Sequence, residues 1–319
     1  MKSWVVAGLV TLVGLLAGAE EPRLVLEGHT GTIWDLDFSP DGTMLASAGG
    51  CGDKIIRLWD VTTGWELFQL VGHVDRVVDL DFDPEGGTLA AVAPTDRAVR
   101  LWDVETGEFR LLESPVGSLF SVAYSSDGRW LAAGAFSGGV ALWRRTDEGF
   151  QLVLTLSGPT AEVREVAFSP DGSLLAAASE DGTVHIWNIQ TRELVGLIDE
   201  HTDEVRAVAF SPEGSLLATA SKDERVLLWE VPSWRLVRTL SGHTWSVNAL
   251  AFSPDGRLLA SASSDRTVIL WQVATGEALA TLRGHQKEVM GVDFSPDGEL
   301  LASSSADLTV ILWEVGELP

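Results

Sequence analysis

Short apolar runs recur along the chain, each cut off by a polar turn carrying glycine or proline, and this rhythm predicts β-strands rather than helices. The clearest runs end on tryptophan, as in Thr267-Val268-Ile269-Leu270-Trp271. Trp59, Trp102, Trp143, Trp187, Trp229, Trp271 and Trp313 follow one another at intervals of 43, 41, 44, 42, 42 and 42 residues. A fixed period of this size decides the architecture before any single element does. Within each copy an aromatic residue (Phe38, Phe82, Tyr124, Phe168, Phe210, Phe252 or Phe294) precedes a turn of the Ser-Pro-Asp-Gly type. Proline presets the first central φ of such a turn and glycine accommodates the backbone that completes it, so the turn joins two strands. Next come Leu-Ala-Ser-Ala or a variant, a short polar turn, the run ending in Trp, a loop that is often Thr-Gly, and a last run such as Ala278 to Leu282. Each period thus holds four strands. Paired helices of similar period are excluded, because Pro-Asp-Gly interrupts the copies and the apolar runs are too short and too β-branched.

Gly-His, then Phe-Ser-Pro-Asp-Gly, then Asp-x-x-Val-x-Leu-Trp, repeated with variations in seven copies from Arg23 to Val315, resembles the WD-repeat family. The resemblance implies an all-β fold, a seven-bladed β-propeller of four-stranded antiparallel blades around a central channel. The chain ends fit such a ring. Val315 to Pro319 leaves the seventh copy without its outer strand, while Arg23 to Leu26 precedes the first Gly-His with no blade of its own. Pairing Leu24 to Leu26 onto the last blade would close the ring with the N-terminal strand, as the family does, and remove an exposed edge.

Residues 1–19 stand outside the repeat. They carry one Lys, run apolar from Trp4 to Leu16 and close on Ala17-Gly18-Ala19, which reads as a secretory signal peptide before a propeller spanning 20–319. The expectation is an exported protein, periplasmic or extracellular, with membrane attachment only if the segment is kept as an anchor.

Composition sharpens the picture in three places. Thirteen Trp against one Tyr is the mark of one tryptophan position copied many times. Lys and Arg number 22 against 46 Asp and Glu, a net charge of -24, and such a surface repels phosphate backbones and anionic headgroups, so nucleic acid is excluded as an expected partner. The one cysteine, Cys51, excludes an intrachain disulfide and a thiolate metal cluster, and reads as a spare thiol in a surface turn.

His243, Ser261 and Asp265 are the residue types of a nucleophilic triad. The same set recurs as His29, Ser47 and Asp53, as His201, Thr219 and Asp223, and as His285, Ser303 and Asp307, each followed six residues after its Asp by Trp59, Trp229, Trp271 or Trp313. An active site is seldom built four times over. A buried indole N–H needs an acceptor, a hydroxyl can supply it, and an imidazole can link hydroxyl to carboxylate. In the WD-repeat family this Trp, Ser or Thr, His and Asp tetrad is structural, and the resemblance carries that role onto these sixteen residues. Three copies depart from it. His73 and Asp96 face Ala91, Asp181 goes with Pro159 and Ala177, and Ser137 takes the Asp place in a copy without Gly-His, so blades two, three and four are expected to be the looser side of the ring.

Asp37, Asp81 and Asp293 occupy one repeat position in blades one, two and seven. Facing the channel they would converge, either as solvated carboxylates or around a hard cation such as calcium, and the sequence leaves that open. His185 reads as a packed or exposed histidine rather than a ligand. There is no phosphate-binding glycine loop before a helix, no paired-cysteine motif and no His-Glu-x-x-His, so no cofactor is expected.

The expected function is therefore a non-catalytic scaffold, of undetermined oligomeric state, that presents one rim to a protein or peptide. The alternatives are an extracytoplasmic propeller enzyme working at the channel carboxylates and a structural subunit of a larger assembly. The family's recurrent contact positions, carried onto this sequence, select Trp34, Arg76, Val78, Phe120, Phe136, Arg164, Arg206, Lys222 and Met290 as the partner-binding rim. Apolar members fall on blades seven, one, two and three, and charged ones mainly on blades four and five.

Overall fold

A computed structural model describes residues 21–316. The segment 1–19, the expected signal peptide, lies outside the described residues. The described chain forms 28 strands in seven four-stranded antiparallel sheets. Six sheets use four consecutive strands, so their connections are tight turns between neighbours. The first blade, for example, runs Ile33–Phe38, Met44–Gly49, Ile55–Asp60 and Glu66–Val71 from the inside outwards.

The seventh sheet is built from both ends of the chain. Its inner strands are Val289–Phe294, Leu300–Ser305 and Thr309–Glu314, and its outer strand is Pro22–Glu27. Leu24, Val25 and Leu26 pair with Leu312, Ile311 and Val310, which is the closure that the two ends predict.

Blades meet through apolar faces. The core consists of seven clusters, each shared by two successive blades. Leu24 and Leu26 of the closing strand pack with Ile33, Phe38 and Trp59 of the first blade, so closure joins a core as well as a ladder.

The repeated turn explains its own glycine. Gly42, Gly86, Gly128, Gly172, Gly214, Gly256 and Gly298 all take left-handed φ values between 65° and 79°, a region that a β-carbon disfavours. In blade one the Ser39 hydroxyl donates to Asp41, and Asp41 accepts the Thr43 N–H, locking the turn from within. Most of these glycines also meet the turn proline of the preceding blade; Gly42 faces Pro296, and a β-carbon on it would lie 3.5 Å from the ring.

Leu26 is 3% exposed on the closing strand. Leu26→Ala is expected to lower the unfolding free energy by about 3 kcal/mol, read from denaturant titration, because it empties a core site that the neighbouring blade cannot collapse to fill. Deleting Pro22 to Glu27 should lower the melting temperature further than this single substitution does, and an unchanged melting curve would refute closure.

Candidate functional site

In blade six the four tetrad residues form one hydrogen-bonded line. The Trp271 indole N–H donates to Ser261 Oγ at 2.8 Å, Ser261 lies 2.8 Å from His243 Nε2, and His243 Nδ1 lies 2.8 Å from Asp265. Only one proton arrangement satisfies every group: the hydroxyl donates to Nε2 and the Nδ1–H donates to the carboxylate. The same line runs through Trp229, Thr219, His201 and Asp223, and through Trp313, Ser303, His285 and Asp307, with every separation between 2.8 and 3.1 Å. Trp59, Ser47, His29 and Asp53 repeat it in blade one. The Asp also accepts the backbone N–H after the histidine, from Thr30, Thr202, Thr244 or Gln286.

These groups are ill placed for attack on a substrate. Ser47, Thr219, Ser261 and Ser303 are fully buried, and each hydroxyl oxygen already takes an indole proton. A nucleophile needs a path by which substrate can reach it, and these buried hydroxyls have none.

The irregular blades improvise. In blade two Ala91 supplies no hydroxyl, and the Trp102 indole N–H reaches His73 Nε2 directly at 3.3 Å. His73 still holds Asp96 at 2.8 Å, and Arg100 Nε donates to the same carboxylate at 2.6 Å. Burial, the largest influence on Asp96, pushes its carboxyl up, but the bonds from His73 and Arg100 outweigh it and hold it at about 2. In blade four His185 lies almost parallel to Trp187 at 20°, with centroids 5.7 Å apart. It fills the space over Gly158, where a β-carbon would come within 2.5 Å of the imidazole, so it is a packed residue. Cys51 is exposed in its turn.

Asp37, Asp81 and Asp293 do converge on the channel, and the structure adds Asp35, Asp79 and Glu165, which the sequence reading passed over. Their oxygens point at backbone. Asp293 accepts the Phe38 N–H at 3.0 Å, Asp37 that of Phe82 at 2.6 Å and Asp81 that of Tyr124 at 2.5 Å. Asp35, Asp79 and Glu165 accept from Leu80, Val122 and Val208 at 3.1, 2.6 and 2.7 Å. Every one of these bonds runs from a blade to the next one around the ring. Two of the missed three were detectable, because residues two apart on a strand share a face and Asp35 and Asp79 precede Asp37 and Asp81 by that step, whereas Glu165 precedes Ala167. Among the described residues no group of three or more His, Cys, Asp or Glu side chains is arranged to hold a metal ion.

The rim residues fall into two groups. Trp34 of blade one meets Phe120 of blade three edge-on, with centroids 6.4 Å apart at 89°, and Phe120 meets Phe136 at 5.5 Å. Arg164 stacks 4.0 Å over Phe120 and Arg76 lies 5.6 Å over Trp34. Val78 and Phe120 are each only 5% exposed and form the floor of this group, whereas Phe136 is 37% exposed. Blades four and five carry the charged group. Arg164 pairs with Glu162 and Glu180, Arg206 with Glu204 and Asn248, and Lys222 with Glu204 and Asp203. Met290 is half-buried on blade seven. The Nε–H groups of Arg76, Arg164 and Arg206 are buried without an acceptor.

The seven tryptophan-bearing blades, closed by a strand from the other end of the chain, define a WD-repeat β-propeller. The WD domain, G-beta repeat, matches residues 20–60, 64–103, 110–144 and 150–188, and the Echinoderm microtubule-associated protein second beta-propeller matches 176–318. The chain belongs to the WD-repeat family. It is 30% identical over 130 residues to the small ribosomal subunit protein RACK1y of Oryza sativa subsp. japonica, covering 38% of this chain and 37% of that protein. It is 31% identical over 111 residues to the small ribosomal subunit protein RACK1 of Brassica napus, covering 35% and 32%. Over 43 residues it is 46% identical to the eukaryotic translation initiation factor 3 subunit I of Schizosaccharomyces pombe, covering 14% and 12%. The matched part thus spans between 12% and 37% of these relatives.

These relatives correct one expectation. They are named as parts of a ribosomal subunit and of a translation initiation factor, which work inside cells, and this overturns the reading of an exported, periplasmic or extracellular protein. No helix among the described residues is long and apolar enough to cross a membrane.

Ser261→Ala leaves the Trp271 indole N–H and His243 Nε2 without partners and should cost about 2 kcal/mol or more of stability in denaturant titration. Combined with Asp265→Ala the losses should add to less than their sum, since both break one line of bonds. Acid should loosen the tetrad of blade one and the His73–Asp96 pair of blade two as well. Burial holds His29 and His73 below the usual histidine range, so the unfolded chain takes up protons first and stability falls as pH drops through that range. Asp96 adds a further loss as pH falls toward about 2. Amide exchange should be slower in blades five to seven than in blade three.

Proposed function

We propose that this chain is a non-catalytic scaffold that receives a protein or peptide partner at the channel mouth. The observation that carries the reading is the aromatic cluster at the mouth, Trp34 against Phe120 and Phe120 against the exposed Phe136, with Arg76 lying over Trp34 and Arg164 over Phe120. Trp34, Phe136 and Met290 give the apolar contacts, Val78 and Phe120 support them from below, and Arg164, Arg206 and Lys222 give the charged edge. Such a mixture of aromatic and arginine side chains is the composition of an interface hot spot. The net charge of -24 disfavours a nucleic acid at this face.

A second observation favours the reading of a subunit within a larger assembly: the relatives are themselves named as a ribosomal subunit protein and a subunit of an initiation factor. The two readings agree, since a subunit of such an assembly works by holding its neighbours. The enzyme alternative at the channel carboxylates loses its support, because those oxygens are committed to backbone N–H groups of neighbouring blades.

Trp34→Ala is expected to weaken partner binding by about 2 kcal/mol or more without unfolding the ring, measured by titration calorimetry against a partner isolated with the parent protein. Arg206→Ala should also flatten the dependence of binding on salt. Leu152→Ala, on the outer strand of blade three, serves as the control and should bind as the parent does. Equal binding by all three variants would show that the partner uses another face.

A further inference from the structure

Blade two lacks the hydroxyl of the tetrad, and its absence changes what a proton does there. With Ala91 in that place the imidazole closes on the indole. The ring centroids of His73 and Trp102 lie 5.7 Å apart, against 6.2 Å for His29 and Trp59 and 6.4 Å for His243 and Trp271. The Trp102 N–H then donates straight to His73 Nε2 at 3.3 Å. The other ring nitrogen already carries a proton, because Nδ1 faces Asp96 at 2.8 Å, and Arg100 Nε at 2.6 Å and the Val74 N–H at 3.3 Å also donate to that carboxylate. A second proton on this imidazole can therefore land only on Nε2. It sets two buried donors, the indole and the imidazolium, against each other.

A complete tetrad has room for the same proton. Ser261 Oγ of blade six stands between His243 Nε2 and the Trp271 N–H, 2.8 Å from each, with the Ile269 carbonyl 3.5 Å away. By turning its own hydrogen to that carbonyl the hydroxyl can accept from both nitrogens, and the indole keeps its partner. Blade two has no such relay. Blade one faces this junction with Ala48, Ile56, Leu58 and Leu70. From blade two's outer strand Phe109 packs 4.7 Å from Trp102, with Arg100 stacked over it at 4.4 Å. The charged groups around His73 are Asp96 and Arg100; of their neighbours, Asp75 accepts the Arg76 N–H and Lys54 of blade one donates to the Val74 carbonyl.

The loop that carries His73 is seated on the same indole. A β-carbon on Gly72 would lie 3.0 Å from Trp102 and 3.2 Å from Arg100 and from Phe109. The inner strand that follows, Asp79–Phe82, has four residues where each of the other six blades has six, so less ladder holds the loop from behind. Arg76, lying over Trp34, stands on this loop.

We propose that His73 is an acid-sensitive latch on the junction of blades one and two: a proton on Nε2 turns the Trp102 indole away and frees the loop from Gly72 to Val77. Burial, the largest influence on His73, holds it below the usual histidine range against the pull of Asp96. The opened state therefore takes up the proton first, so the latch is shut at neutral pH and gives way progressively as pH falls below that range. A bearing on partner binding rests on the rim being the binding face; the latch does not, and its test needs no partner.

Amide exchange of the full chain, corrected for the intrinsic effect of pH, is followed from pH 7.5 to pH 5 in the parent and in Ala91→Ser, which restores the hydroxyl. In the parent, opening of the loop from Gly72 to Val77 is expected to rise by roughly tenfold relative to the matching loop from Gly242 to Val247 in blade six, the effect of one buried donor left without an acceptor. In Ala91→Ser the two loops should respond alike. Equal responses in the parent, or a blade-two loop as acid-sensitive in Ala91→Ser as in the parent, would overturn the latch. Should Ala91→Ser fail to fold, nuclear magnetic resonance of the parent decides: the Trp102 indole N–H signal should move upfield as the His73 ring takes up its proton. A signal that holds its position through that titration would overturn the proposal as well.

Discussion

A four-stranded blade cannot bury its own faces. Each sheet of this protein has apolar side chains on both sides, and only another blade of the same shape can cover them, so the molecule is stable as a ring or not at all. The seven clusters of the core are the direct expression of that constraint, one at every junction between successive blades. Closure by Pro22–Glu27 meets the same demand, since an open seventh junction would leave Leu300, Val310 and Leu312 facing water on one side.

Closing the ring creates two polar problems, and the chain answers them differently. Large indoles at the blade junctions carry an N–H out of reach of water, and the hydroxyl–imidazole–carboxylate line carries that hydrogen bond to the surface of the blade. Where the hydroxyl is missing the imidazole serves directly, as His73 does for Trp102. The inner strands, by contrast, have one edge with no ladder partner. Carboxyls of the preceding blade take six of those N–H groups, at the expense of gathering acids in a confined space.

The two answers set opposite electrostatic tendencies. Burial holds histidines such as His29 and His73 below their usual range and favours the fold away from acid, while burial pushes the channel carboxyls such as Asp37 and Asp79 up. The mouth of the channel joins neither system. Its aromatic group is tied together across blades one, three and four, and its arginines are only partly engaged, which leaves recognition chemistry on a frame whose stability is settled elsewhere.

Much of this was legible in the sequence, and for a physical reason. Strand period, turn chemistry and the tryptophan spacing are local properties, written within about 40 residues and repeated, so seven four-stranded repeats and the four recurring sets of Trp, hydroxyl, His and Asp could be set out from the residues, while the ring and the structural role of those sets were implied by the resemblance to the WD-repeat family. The left-handed glycines are dictated by the turn that each ends. What the chain alone did not disclose are contacts between residues that the ring brings together from far apart. Phe38 and Asp293, separated by 255 positions, share a hydrogen bond that no local pattern announces. Buried Asp83, standing where most copies have serine, is neutralised by Arg145 of the next blade. His185 lies over Trp187 because blade four has glycine at position 158, and Phe120 lies under Trp34 rather than beside it at the surface. The bonds from the channel acids to backbone N–H groups of the next blade likewise exist only once the ring is closed. Periodicity determined the elements and their order; the closed geometry decided which side chains meet, because only there does each blade acquire two neighbours.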